Sequence, residues 1–137
     1  MRLESEHNRP VRAEHYDEAY FLSSCEGYTE FVTSEGAHLS RRLRQAFEIA
    51  KVAPGMQVLD IACGRGEILR RCARLGAASH GVDYSPVATR MAYSLLESLE
   101  ESQQMGGIYQ ADAKYLPFPT ASFDRVLMFD LVEHLHP

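Results

Sequence analysis

A short apolar run, Val58-Leu59-Asp60-Ile61-Ala62, passes straight into Cys63-Gly64-Arg65-Gly66 and then into an amphipathic stretch beginning near Glu67. This order of strand, glycine loop and helix constrains the chain more than any other feature. Two glycines let backbone N–H groups approach a ligand closely at a helix N-terminus, where an anionic group is favoured. Glycines after a strand also make plain tight turns, so the surroundings of the loop must decide. Spacing decides part of it. A dinucleotide fingerprint wants a third glycine, and Leu69 stands at that position, which weighs against an NAD-dependent oxidoreductase. Asp60, just ahead of the glycines, offers a carboxylate to an ammonium or sulfonium group, directly or through water; its alternative role is to cap the loop amides.

The rest of the chain supplies strands and helices in alternation. Before the loop, Tyr16, Tyr20, Phe21, Tyr28 and Phe31 recur at steps of three and four, broken near Glu26-Gly27, and predict two short helices packed on the domain body. Leu39, Leu43, Phe47 and Ala50 form one face of a clearer helix that ends by Pro54-Gly55. After the loop, Ile68, Leu69, Cys72 and Ala73 line a helix from about Glu67 to Leu75. A strand around His80 to Asp83 follows, then a helix capped by Ser85 with Pro86 at its first position. Its buried side is Val87, Ala88, Met91, Ala92, Leu95, Leu96 and Leu99, and Gly106-Gly107 stops it. Ile108 to Ala111 and Phe123 to Phe129 read as third and fourth strands, and Asp130 with Glu133 as a capping box for one more helix. Parallel strands need crossover connections, so this order predicts an α/β Rossmann-like parallel sheet, strand order 3-2-1-4, with helices on its faces. The expected organisation is a loose arm over 1–13, a helical extension or lid over 14–53, and a ligand-binding domain over 54–137.

Composition removes several partner classes. A net charge of -5 gives no broad attraction for phosphate backbones, so nucleic acid is disfavoured. No apolar run approaches the roughly 20 residues of a membrane helix, and the polar start is unlike a signal peptide. Three cysteines without a CxxC pair indicate reduced thiols, no disulfide framework and no metal cluster, hence a cytoplasmic protein. The arginines Arg41, Arg42, Arg44, Arg65, Arg70, Arg71 and Arg74 read mostly as solvated helix faces beside glutamates.

Further candidates sit at strand ends, where ligands bind in such sheets. Asp83 closes the second strand 17 residues after Gly66, placed for a ribose diol. Tyr84 beside it offers an aromatic face to a purine, and Asp112-Ala113 offer a carboxylate and an N–H to an adenine edge. Each alone is an ordinary turn residue. As an ordered set they matter: Val58 to Gly66, Gly81-Val82-Asp83-Tyr84-Ser85, Gln110-Ala111-Asp112-Ala113, Leu116-Pro117-Phe118 and Ser122 to Val126 resemble successive motifs of class I S-adenosylmethionine-dependent methyltransferases. The resemblance covers roughly residues 54 to 136 and is nearest to the small-molecule type 11 branch, with ubiquinone and menaquinone C-methyltransferase-like enzymes; Asp130-Leu131-Val132-Glu133-His134-Leu135 adds to it.

That resemblance implies that Asp60, Ala62, Cys63, Gly64 and Gly66 surround the methionine end of S-adenosylmethionine. It implies further that Asp83 holds the ribose, that Tyr84 with Ser85 beside it covers the adenine, and that Asp112 and Ala113 meet the adenine edge. Phe129 and Asp130 would lie near the methionine amine or the transferred methyl, with Tyr16 or Tyr20 in a lid. The product would be S-adenosylhomocysteine and the acceptor a small molecule. Methyl transfer needs a base only where the acceptor must lose a proton, and His134 is the candidate, although His134-x-His136 does not put both rings on one helix face. Cys63, whose thiol could be acidified at the helix N-terminus, is read as a small residue with no nucleophilic role.

Two departures from the family pattern carry consequences. Ala62 replaces a glycine; in ordinary strand dihedrals alanine is tolerated there, and only a positive φ would penalise it. The usual strands after the fourth are missing, so Val126 to Phe129 is expected as an exposed apolar edge, from a truncated chain or one covered in a homodimer. A cofactor-binding but non-catalytic partner is therefore the alternative to an active enzyme.

Overall fold

The structure, a computed structural model, describes residues 12–99, 106–129 and 131. A 3-10 turn at Ala13–His15 is followed by a π turn, Tyr20–Ser24, and helix α1, Tyr28–Ser34. The break predicted near Glu26-Gly27 is real: Gly27 takes a φ of 77° at the N-cap of α1, a conformation that glycine adopts without cost. The first of the two expected helices is instead the wider π turn, closed by Cys25 N donating to Tyr20 O at 2.8 Å.

Helix α2, Arg41–Ala50, starts at Ser40, whose hydroxyl accepts from Leu43 N, and stops at Lys51, ahead of Pro54-Gly55. Strand β1, Gln57–Ile61, leads through the glycine loop to α3, Glu67–Arg74. Strand β2, Ala78–Asp83, is followed by α4, Pro86–Glu97, then β3, Ile108–Gln110, and β4, Arg125–Leu127. Ser85 and Pro86 start α4 as predicted, with Ser85 Oγ accepting from Ala88 N. The four strands are parallel in the order β3-β2-β1-β4. The break in strand order falls beside β1, so ligand chemistry belongs at its C-terminal end.

The two faces of the sheet are covered differently. On one, Val58 and Leu127 pack with Phe47 of α2 and with Ile68 and Cys72 of α3, while α4 adds Ala92 and Leu96 against Leu69 and Cys63. Removing each of the larger of these side chains, the valine, leucines, isoleucine and phenylalanine, from water contributes about 1.5–3 kcal/mol. On the other face Leu59, Ile61 and Val82 are covered by Phe118, Phe123 and Leu131. His80 joins this layer against Tyr109, Phe118 and Phe123. Val126, level with Leu59, is 52% exposed and Met128 47%. The apolar edge expected at the fourth strand is thus present, although Leu127 is buried and Phe129 packs against the Phe47 cluster. Asp130, Glu133, His134 and His136 lie outside the described residues, and so does the arm up to residue 11.

Candidate functional site at the strand ends

The loop is fixed from both sides before any ligand is considered. Cys63 N donates to Val82 O at 3.0 Å, extending the β1–β2 pairing, and Gly66 N donates to Cys63 O at 3.0 Å to close the turn. Gly64 N donates to Asp83 Oδ2 and Ser85 N to Asp83 Oδ1, both at 2.9 Å. The amide cap is therefore Asp83 of β2, and Asp60 does not fill that role. An ionised carboxylate has about four lone-pair sites, so Asp83 keeps acceptor capacity for a diol.

Asp60 is 3% exposed, and among the described residues no hydrogen bond reaches its carboxyl group. Burial, then the neighbouring Glu67 and Asp83 carboxylates, push its carboxyl well above the usual carboxylate range. Burial also raises Asp83, while the amides of Ser85, Gly64 and Tyr84 pull it back. Burial, Asp60 and Asp83 drive the Cys63 thiol well up, so the acidified thiol that a helix N-terminus can produce is not present here. The floor is thus a buried site short of positive charge, suited to a cation.

Ala62 corrects an expectation. Its φ is 60°, in the left-handed region, so the penalty that ordinary strand dihedrals would spare it does apply. Gly66 also differs from its expected place: its φ is 89°, and a Cβ there would lie 2.9 Å from Ala92 Cα, so it admits α4 and does not line the cavity. Ser85 is fully buried, caps α4 and donates from Oγ to Tyr16 O at 2.7 Å; it too lies off the cavity, engaged in structure.

A cavity of about 430 Å³ opens between this floor and the N-terminal extension. That is within the roughly 300–1,000 Å³ of small-molecule sites. On the β2–β3 side it is lined by Asp83, Tyr84, Asp112 and Ala113; at β1 by Asp60, Ala62, Cys63 and Gly64; and towards β4 by Phe129 and Leu131. Tyr16, Tyr20 and Phe21 form the roof, Tyr20 meeting both neighbours edge-on at 5.2 and 5.0 Å between ring centroids. Burial and then Asp83 raise the Tyr16 hydroxyl, which stays protonated. Tyr84 is half exposed, and Asp112 Oδ1 accepts from Lys114 N. Among the described residues no group of three His, Cys, Asp or Glu is arranged to hold a metal.

Sequence reasoning missed Arg65, Glu67 and Phe21 as parts of this site. Arg65 is 2% exposed, not a solvated-face arginine, and pairs with the buried Glu67. Phe21 belonged to the aromatic series that predicted the extension, so its signal was present. For two charges two residues apart in a glycine turn, no periodicity could reveal burial.

A family described as "Methyltransferase domain" matches residues 58–137. A ubiquinone biosynthesis O-methyltransferase from Xanthomonas campestris pv. campestris is 34% identical over 99 residues, 72% of this chain and 41% of that protein. A ubiquinone/menaquinone biosynthesis C-methyltransferase from Bordetella parapertussis is 37% identical over 95 residues, 68% of this chain and 36% of that protein. The chain thus spans less than half the length of these relatives. Among solved structures, a SAM-dependent methyltransferase from Thiobacillus denitrificans in complex with S-adenosyl-L-homocysteine matches with a TM-score of 0.57 and 25% identity, covering 77% of this chain and 44% of that one.

Proposed function

Because this chain belongs to the methyltransferase-domain family, with the Rossmann-like parallel sheet of class I members, we propose that its cavity binds S-adenosylmethionine for methyl transfer to a small-molecule acceptor by direct displacement. The observation that carries this reading is the convergence of Asp60, Asp83 and Asp112 from three successive strand ends on one cavity. When bound, the cofactor supplies an electrophilic methyl group on a sulfonium. Asp60, buried and short of positive partners, favours the cationic methionine end; Asp83 holds the ribose diol; Tyr84, Asp112 and Ala113 receive the adenine. Tyr16, Tyr20 and Phe21 exclude water from above, and Phe129 lies on the side from which an acceptor meets the methyl. His134 is the proposed base for an acceptor that must lose a proton.

Among the described residues no helix is long and apolar enough to cross a membrane, and a cytoplasmic location belongs to the same proposal. Half-exposed Val126 and Met128 favour a second reading, in which the chain binds cofactor without turnover or completes its sheet face as a homodimer through β4. Isothermal titration with S-adenosylmethionine and S-adenosylhomocysteine tests the central claim, with micromolar affinity expected. No heat at millimolar ligand would sink it. Binding without turnover across a panel of phenolic and quinone acceptors would favour the second reading, and sizing chromatography at several concentrations tests the dimer.

A further inference from the structure

Arg65 sits inside the cofactor loop, yet two of its four side-chain hydrogen bonds among the described residues leave the loop for the N-terminal extension. Burying a guanidinium is costly unless its donors and charge are satisfied. Nε and Nη2 donate to Glu67 Oε1 at 3.0 and 2.6 Å, which neutralises the charge within the loop's own segment. The remaining bonds reach the roof: Nη1 donates to Phe21 O at 2.7 Å and Nη2 to Glu26 O at 2.6 Å. The ring of Phe31 in α1 lies 5.0 Å from Cζ, at cation–π distance.

The roof is shaped to receive it. Phe21 is in the π turn, a geometry that is rare and recurs at functional sites. Gly27 runs so close that a Cβ there would come 3.4 Å from Arg65 Nη2, and its φ of 77° turns the chain around the guanidinium. Glu67, buried in the first turn of α3, is in turn neutralised by the arginine, and its carboxylate also complements the helix dipole. The neighbouring Gly64 faces the Phe21 ring, a Cβ there lying 3.6 Å from it. The Arg65 side chain thus ties loop to roof by two hydrogen bonds, alongside the Phe21–Gly64 contact, and the Ser85–Tyr16 bond ties the roof to the β2 end.

We propose that Arg65 is a positioning residue that couples the roof over residues 16–26 to the cofactor loop, so that the cavity opens and closes as one unit and the residence time of the bound cofactor is set through this side chain. It acts through the roof, its donors being directed to Glu67 and to the Phe21 and Glu26 carbonyls. Pairing with Glu67 has a second consequence: the arginine's charge is used within the loop and does not neutralise Asp60, so the floor keeps its preference for a cation.

The coupling rests on the proposed cofactor only in its ligand arm, and the experiment separates the two. Amide hydrogen exchange by mass spectrometry, comparing peptides over 16–34 with peptides over 57–83, is measured for the wild type, R65K, and R65A/E67Q, the double variant removing the charge that R65A alone would strand. In R65A/E67Q, losing two charged-donor bonds should speed exchange over 16–34 about tenfold, with the strand peptides unchanged. R65K, able to keep Glu67 and one carbonyl, should fall between. With S-adenosylhomocysteine as probe, surface plasmon resonance should show dissociation about tenfold faster in the double variant, with association altered far less. Unchanged roof protection in R65A/E67Q would overturn the coupling. So would parallel loss of protection in β1 and β2, since Arg65 would then simply hold the fold. Failure of the wild type to bind the probe would overturn the cofactor reading while the exchange comparison still decides the coupling.

Discussion

The floor and the roof of the cavity are built on opposite principles. The floor, Asp60 to Glu67 with Asp83, is made of backbone: a strand extended through Cys63, a turn closed by Gly66, and a carboxylate holding two amides. The roof, Tyr16 to Glu26, is made of side chains, with three aromatic rings edge-on to one another or over the loop and polar ties to Arg65 and Ser85. A floor of this kind fixes positions to within a hydrogen bond and tolerates little change. The roof holds by a few replaceable contacts, as suits a part that must yield to admit a ligand.

The largest effect should come from removing the carboxylate that joins β2 to the loop. Asp83→Ala loses two charge-assisted amide bonds, each contributing about 1.5–3 kcal/mol, so chemical denaturation should show a loss of about 3 kcal/mol or more. Cofactor titration should show no binding. A loss under 1 kcal/mol would mean that the floor is not held by Asp83, and the contrast with the roof would collapse.

Asp60 separates stability from binding at the same site. Its carboxyl titrates well above the usual range because of burial and then Glu67 and Asp83, so the folded state holds its proton more tightly than the unfolded chain does. The sign follows: in the window between the ordinary aspartate value near 4 and the raised one, the unfolded state binds fewer protons, and stability falls as pH rises. Affinity for a cationic ligand runs the other way, rising with pH as the carboxylate ionises. Asp60→Asn should therefore leave the melting temperature at neutral pH unchanged or higher and flatten its pH slope, while weakening S-adenosylmethionine binding about 10- to 100-fold. A variant that melts lower and binds normally would assign Asp60 to structure.

The floor was more legible in the sequence than the roof because its signals are chemical types at fixed spacing. Asp60, Gly64, Asp83 and Asp112 need only strand ends to bring them together, and periodicity located those ends. Which carboxylate caps the loop was not legible, since Asp60 and Asp83 are equally able acceptors and only the register Ile61↔Val82 selects Asp83. The roof announced itself as an aromatic helix pair, but the π turn departs from the 3.6-residue period that sequence patterns detect. Arg65 was illegible in principle. A lone arginine in a glycine turn belongs on the surface by every average, and its burial rests on Glu67 together with the carbonyls of Phe21 and Glu26, some forty residues earlier in the chain.

Ser85 tests the lesser tie between the two parts. Its hydroxyl caps α4 and donates to Tyr16 O, so Ser85→Ala should cost about 1–2 kcal/mol in denaturant. Replacement by glycine keeps much of the N-cap preference and loses the Tyr16 bond. Comparing exchange over 13–20 in the two variants isolates the bond: both should loosen the roof near Tyr16. If neither does, the Ser85–Tyr16 bond does not hold the roof.

The smallest expected effect has an unusual direction. Ala62 holds a φ of 60° where β1 turns into the loop. A left-handed alanine costs about 1–2 kcal/mol, whereas glycine adopts that conformation freely but loses about 0.5–1 kcal/mol more to unfolded-chain entropy. The difference favours Ala62→Gly by about 0.5 kcal/mol, a rise of roughly 2 °C in melting temperature for a domain of this size. Truncating the methyl also clears space beside Asp60, so S-adenosylmethionine affinity should rise with stability. A lower melting temperature would show that the Ala62 methyl packs in the folded floor strongly enough to outweigh its backbone strain. The floor would then depend on side-chain contacts as the roof does, and the distinction between the two would narrow to Asp83.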